Sequence, residues 1–89
     1  MARYDAAAID TIEYGMAGGN EDPLFALGVM HSAGRDAAPD LVQAHKWFNL
    51  AALRGNDAAK RYRMELALEM SKAEIAEAQR QAREWMRCH

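Results

Sequence analysis

The sequence lacks the features that would cross-link the chain or anchor it in a membrane. Cys88 is its only cysteine, so no disulfide can form within the chain, and a reducing compartment is the simpler expectation. No apolar run approaches the roughly 18 residues needed to cross a bilayer. The residues after Met1 also lack the apolar core of a signal peptide. We therefore expect a cytoplasmic protein.

A strong charge of one sign is also missing. The formal net charge is -2 at pH 7, which gives no general attraction to nucleic acid or to an anionic membrane. The charge is unevenly distributed, because residues 1–22 carry five acids and one base, whereas residues 23–89 carry eight acids and ten bases. This asymmetry favours a defined orientation toward a partner or a second copy.

Catalytic and metal-binding motifs are missing as well. The chain has no glycine-rich phosphate loop, nucleophile elbow, paired-cysteine motif or His-x-x-x-His pair. His31 and His45 fall on successive predicted helices and would be poor evidence for a metal site on their own. We expect His31 to be half-buried and His45 to be solvated, with no cofactor, no metal and no enzymatic activity.

What the sequence does contain is a pattern that returns. Gly19-Asn20-Glu21-Asp22 is matched 36 positions later (55 - 19) by Gly55-Asn56-Asp57-Ala58. In a chain without β-rich runs, such a period predicts an all-α fold in which two-helix repeats stack into a solenoid. We predict a single domain over residues 1–89 with about five helices. It comprises a preceding second helix at 4–18, a full repeat at 19–54 and a degenerate terminal repeat at 55–88.

The residues between the two glycines follow a distinctive order: Leu27, Gly28, Met30, Gly34, Asp40, Ala44, Trp47, Phe48, Ala51, Ala52 and Gly55. This order resembles the Sel-one-like repeat family, a relative of the tetratricopeptide repeat. Pro23 and His31 depart from the family pattern, which usually has alanine and tyrosine at these positions. The resemblance implies a tetratricopeptide-like superhelix and a bacterial, non-catalytic scaffold that binds other proteins.

Capping residues predict where the helices begin and end. Asp22-Pro23 opens a helix that Gly34 closes, Asp40 opens the next, and Asn56 opens one that reaches Glu69 or Met70. Ser71-Lys72-Ala73-Glu74 is a capping box that begins the last helix. The predicted buried positions of these three later helices are Leu41, Ala44, Phe48, Ala51 and Ala52, then Ala59, Tyr62, Leu66 and Met70, then Ile75, Ala78, Gln79, Ala82, Trp85 and Met86.

Gly28 lies in the middle of a predicted helix, where glycine is unfavourable by about 1 kcal/mol relative to alanine. We expect a neighbouring helix to approach closely there, with a large ring such as that of Trp47 opposite. The methionines at helical spacing are mostly expected in the core, and any that are exposed would indicate an adaptable binding surface.

The resemblance implies a groove lined by the first helices of each repeat, which binds a peptide or helix of a partner protein. The candidate groove residues are Leu24, His31, Lys60, Arg63 and Ala67. The alternative is a self-assembling homodimer. Nucleic-acid binding through Lys60, Arg61, Arg63, Arg80, Arg83 and Arg87 is less favoured, because glutamates are interleaved with these bases.

Overall fold

The computed structural model describes residues 22–34 and 38–89. These two ranges form four helices, α1 (Pro23–Ala33), α2 (Leu41–Leu53), α3 (Asp57–Ala67) and α4 (Lys72–Cys88), and contain no strand. The all-α class is therefore confirmed, with four described helices rather than five. The predicted helix at 4–18 and the first turn of the predicted full repeat lie outside the described residues.

The four helix starts confirm the predicted caps, which are Asp22, Asp40, Asn56 and Ser71. Each cap side chain accepts a hydrogen bond from a backbone N–H in the first turn, which would otherwise lack a partner. The Ser71 cap is reciprocal, because the Glu74 carboxylate accepts from the Ser71 backbone N–H at 2.8 Å. Gly34 ends α1 in the left-handed conformation, with φ of 64°.

α3 ends earlier than predicted, at Ala67 instead of Glu69 or Met70. The backbone N–H groups of Leu68, Glu69 and Met70 each bond to the carbonyl three residues earlier, whereas an α-helix uses the fourth. This tighter turn ends the helix, and the Ser71 cap begins α4 directly after it. Met70 is still buried, as predicted.

α2 is the central helix, because α1, α3 and α4 all pack against it. One aromatic ring from each of α1, α2 and α3 meets at the centre: Phe25, Phe48 and Tyr62. Their ring centroids lie 5.5 to 5.9 Å apart with tilted or edge-to-face planes, the geometry that aromatic rings favour. These rings anchor three helices in one core.

The close helix approach predicted at Gly28 is confirmed, and the large ring opposite is that of Phe48. A Cβ on Gly28 would lie 2.5 Å from Phe48 Cδ1, closer than any ordinary carbon contact. Trp47 lies on another side of α2 and packs edge-to-face on Trp85 of α4, with ring centroids 5.8 Å apart. The glycine and the tryptophan therefore serve two different helix contacts.

The predicted buried positions of α4 are confirmed for its two alanines and are wrong for two other residues. Ala78 and Ala82 are buried, but Gln79 and Met86 are exposed. Gln81 faces α2 instead, because its side-chain oxygen accepts from Gln43 Nε2 at 2.7 Å. The contact stripe consists of positions 78, 81, 82 and 85, which share one face at helical spacing.

The first helices of the two pairs, α1 and α3, begin 34 residues apart, whereas the second helices, α2 and α4, begin 31 residues apart (71 - 40). The caps of α1 and α3, Asp22 and Asn56, are 34 residues apart and bond to each other, since Asn56 Nδ2 donates to Asp22 Oδ2 at 3.1 Å. Burial follows the same spacing. The buried positions 24, 25, 28 and 32 of α1 correspond to the buried positions 58, 59, 62 and 66 of α3. The sequence alignment through Gly19 and Gly55 was therefore shifted by two residues.

Candidate protein-binding face

Three large apolar side chains of α1 and α3 are exposed to solvent. Met30 is 63% exposed, Met64 is 62% exposed, and Leu68, directly after α3, is 72% exposed. Met30 and Met64 occupy equivalent positions in their helices, 34 residues apart (64 - 30), at the same spacing as the two caps. We call these three residues the methionine face.

Helix geometry explains why the two methionines point outward. Met64 lies between the buried residues Tyr62 and Leu66, two positions from each. Two positions correspond to about 200° of rotation around an α-helix, which places Met64 opposite the buried side. Met30 has the same relation to the buried residues Gly28 and Ser32 of α1.

α1 and α3 meet at their first turns and in the core. The Asp22–Asn56 hydrogen bond joins the first turns of the two helices. Within the core, the rings of Phe25 and Tyr62 lie 5.9 Å apart between centroids. Exposed large apolar side chains that recur on two such helices mark a candidate interaction surface.

Within the described residues, the charges of these two helices lie on α3. α1 contains no Asp, Glu, Lys or Arg, and its exposed positions are Pro23, Ala26 and Met30. On α3, Lys60 is exposed one turn before Met64 and on the same side of the helix. Arg61 and Glu65 are exposed on either side of this line, so α3 offers charges of both signs near Met64.

The predicted groove residues do not form one exposed cluster. Leu24 is 5% exposed and belongs to the core, so its prediction as a binding residue is wrong. Lys60 is exposed beside the methionine face, and His31 and Ala67 are half-buried. Arg63 is half-buried because its Nη1 donates a hydrogen bond to Asn49 Oδ1 of α2.

Sequence analysis missed the three residues of the methionine face, because methionine and leucine at helical spacing indicate a core position by default. A signal was available in the spacing. Once Asp22 is aligned with Asn56, Met30 coincides with Met64, and both fall opposite the buried stripe. The shifted alignment hid this correspondence.

Two basic residues of α4, Arg80 and Arg87, are paired with acids, as the interleaved sequence suggested. Arg80 forms two hydrogen bonds to Glu77, and Arg87 lies 3.5 Å from Glu84. The hydrogen bonds from Arg80, and then one from Gln81, lower the pKa of the Glu77 carboxyl to about 2. These pairs reduce the positive charge that α4 presents to an anionic partner.

Two shallow depressions lie on the described surface. One of about 460 Å³ lies at the turn between α2 and α3 and is lined by Arg54, Arg61, Asp22 and Asp57 together with three uncharged residues. The other, of about 270 Å³, lies between α2 and α4 beside Trp85. Acids and bases are mixed in both, so neither selects a ligand of one charge.

In the described part of the chain, no three His, Cys, Asp or Glu side chains come together in a way that could hold a metal ion. Burial, followed by the nearby charge of Glu65, raises the pKa of the Tyr62 hydroxyl to about 12, so this phenol stays protonated at neutral pH. Across residues 22–34 and 38–89, no helix has both the length and the apolar character to cross a membrane.

Neither a family model nor a curated protein nor a solved structure matches this chain. The resemblance to Sel-one-like repeats therefore stays a prediction.

Proposed function

We propose that the protein is a non-catalytic interaction module that binds an amphipathic helix of a partner protein on the methionine face. The observation that carries the proposal is the pair Met30 and Met64, exposed at equivalent positions on two helices whose first turns are joined by a hydrogen bond. Burying an exposed methionine side chain contributes about 1.5 to 3 kcal/mol, so the two together are a substantial part of a micromolar affinity.

The chemistry of the face favours an apolar helix stripe with an acidic residue at one end. Methionine side chains are flexible and polarizable, which lets them adapt to the side chains of a partner helix. α1 offers no charge to pair with, whereas Lys60 stands one turn from Met64 and attracts a carboxylate.

We also propose that α1–α2 and α3–α4 are two copies of one helix-pair repeat of the Sel-one-like type. The 34-residue separation of the caps and the recurrence of the buried positions support this proposal. In such a repeat the first helices of successive pairs lie side by side, and that row of helices is the binding surface.

The experiment is affinity capture from native cells with wild-type protein and with the double variant Met30→Lys, Met64→Lys. Both positions are more than 60% exposed, so circular dichroism should show that the variant keeps its fold. Met86→Lys is the matched control, because Met86 is exposed on α4, away from this face. We expect the double variant to lose the captured partner and the control to retain it.

Equal capture by all three proteins would contradict the proposal. Sedimentation of the same proteins tests the alternative, in which a second copy of the chain covers the face. A wild-type dimer that becomes monomeric only in the double variant would assign the methionine face to self-assembly.

A further inference from the structure

His45 is a titratable side chain with no role in the proposed binding face. It was expected to be solvated, but it lies on α2 with 3% of its surface exposed, between the packed residues Ala44 and Phe48. Its Nδ1 is buried and has no hydrogen-bond partner. A buried imidazole in this position is stable when neutral and unfavourable when charged.

The charge that faces His45 has the wrong sign to stabilise an imidazolium. The positive charge of Arg63 on α3 disfavours a proton on His45. The Arg63 guanidinium is held by its hydrogen bond to Asn49, which lies one turn after His45 on α2. Burial, and then the positive charge of Arg63, lower the pKa of His45 below its ordinary value of 6.5 and outweigh a backbone hydrogen bond that raises it.

Among the described residues, α1 and α4 bring no compensating acid to this side of α2. α1 has no Asp or Glu, and its one titratable side chain is His31. α4 meets α2 through Gln43 and Trp47, which lie two positions before and after His45 and therefore on the opposite side of the helix. The charges of α4 that approach α2, Arg80 and Glu84, line the depression beside Trp85 on that opposite side.

We infer that His45 is an acid-sensitive switch in the contact between α2 and α3. When its imidazole takes up a proton, two positive charges stand together in a buried contact, and the repulsion displaces the Arg63 guanidinium from Asn49. α3 then loses a fixed attachment to the central helix. Because Met64 belongs to α3, acidification also loosens the surface on which the methionine face is built.

The sign of the effect follows from proton linkage. The imidazole binds a proton less readily in the folded state than in the unfolded state. Folding stability is therefore fully present above pH 6.5 and falls as the pH drops from there through the lower pKa of the folded state. The effect does not depend on any partner, so it fails or succeeds independently of the proposed binding function.

The test is urea unfolding at pH 7.5 and pH 5.5, followed by circular dichroism, for wild type, His45→Gln and the control His31→Gln. Glutamine keeps a polar group in the site but does not titrate. We expect the unfolding constant of wild type and His31→Gln to rise several-fold more on acidification than that of His45→Gln. Equal changes in wild type and His45→Gln would overturn the inference.

A second measurement covers the case in which His45→Gln does not fold. The nuclear magnetic resonance titration of the His45 ring in wild type should have its midpoint below 6.5, and Arg63→Gln should shift that midpoint upward. A midpoint in Arg63→Gln equal to that of wild type would show that Arg63 does not act on His45 and would overturn the switch.

Discussion

Replacing Gly28 with alanine should change the stability in two opposite ways, through a clash with Phe48 and through a gain in helix propensity. The added Cβ would lie 2.5 Å from Cδ1 and 2.6 Å from Cε1 of Phe48, about 1 Å closer than carbon atoms normally pack. Phe48 is fully buried between Phe25 and Tyr62, so its ring has no free space to move into. Overpacking of this kind costs about 1 to 3 kcal/mol. Alanine returns about 1 kcal/mol of helix propensity, so we expect a net loss of up to about 2 kcal/mol and no net gain.

Urea unfolding of Gly28→Ala, Phe48→Leu and the double variant measures this balance. Leucine at position 48 removes the ring, so in that background Gly28→Ala should be neutral or stabilising. Ala26→Gly is the propensity control, because Ala26 is exposed on the same helix and should lose only about 1 kcal/mol. A Gly28→Ala protein that gains about 1 kcal/mol in the wild-type background would refute the close contact with Phe48.

Three further predictions follow from single contacts. Asn56→Ala should lower the free energy of unfolding by about 1 kcal/mol, because the side chain caps α3 and also bonds to Asp22. A change within experimental error would mean that the cap is not formed in solution. Leucine replacements of Trp47 and Trp85 in a double-mutant cycle should give a coupling energy of about 0.5 to 1.5 kcal/mol, and a coupling near zero would exclude the edge-to-face contact. The Glu77 carboxyl should titrate with a pKa of about 2 by nuclear magnetic resonance and move toward 4.5 in Arg80→Gln. An unshifted wild-type carboxyl would show that the ion pair does not persist.

Local features of the fold could be predicted because they depend on a few adjacent residues. A capping side chain such as Ser71 or Asp40 bonds within its own first turn, so the sequence around it is sufficient evidence. The partner of Trp47 could not be found this way, because Trp85 is 38 residues away (85 - 47) and its position depends on how α4 meets α2. Gln81 illustrates the same difficulty, since its contact with α2 shifted the predicted buried side of α4.

The wrong prediction for His45 has a structural reason. A helix with two neighbours keeps a solvated side, and polar residues along it are expected to point there. α2 has three packed neighbours, so less of its circumference is left for water. The side of α2 opposite α4 is covered as well, because Arg63 of α3 bonds to Asn49 there, one turn after His45, and His45 is buried with one nitrogen unpaired.

The contacts around α2 also differ in how deeply they are buried. α1 and α3 meet α2 through Phe25, Phe48 and Tyr62, three buried rings in mutual contact. α4 meets α2 through two buried alanines, the Gln43–Gln81 hydrogen bond and half-buried tryptophans, which exclude less water from the contact. Local opening free energy follows the amount of buried apolar contact, so α4 should separate from α2 more readily than α1 or α3. The methionine face belongs to α1 and α3, the two helices with more buried contact to α2. A partner that binds there should therefore bind a preorganised backbone.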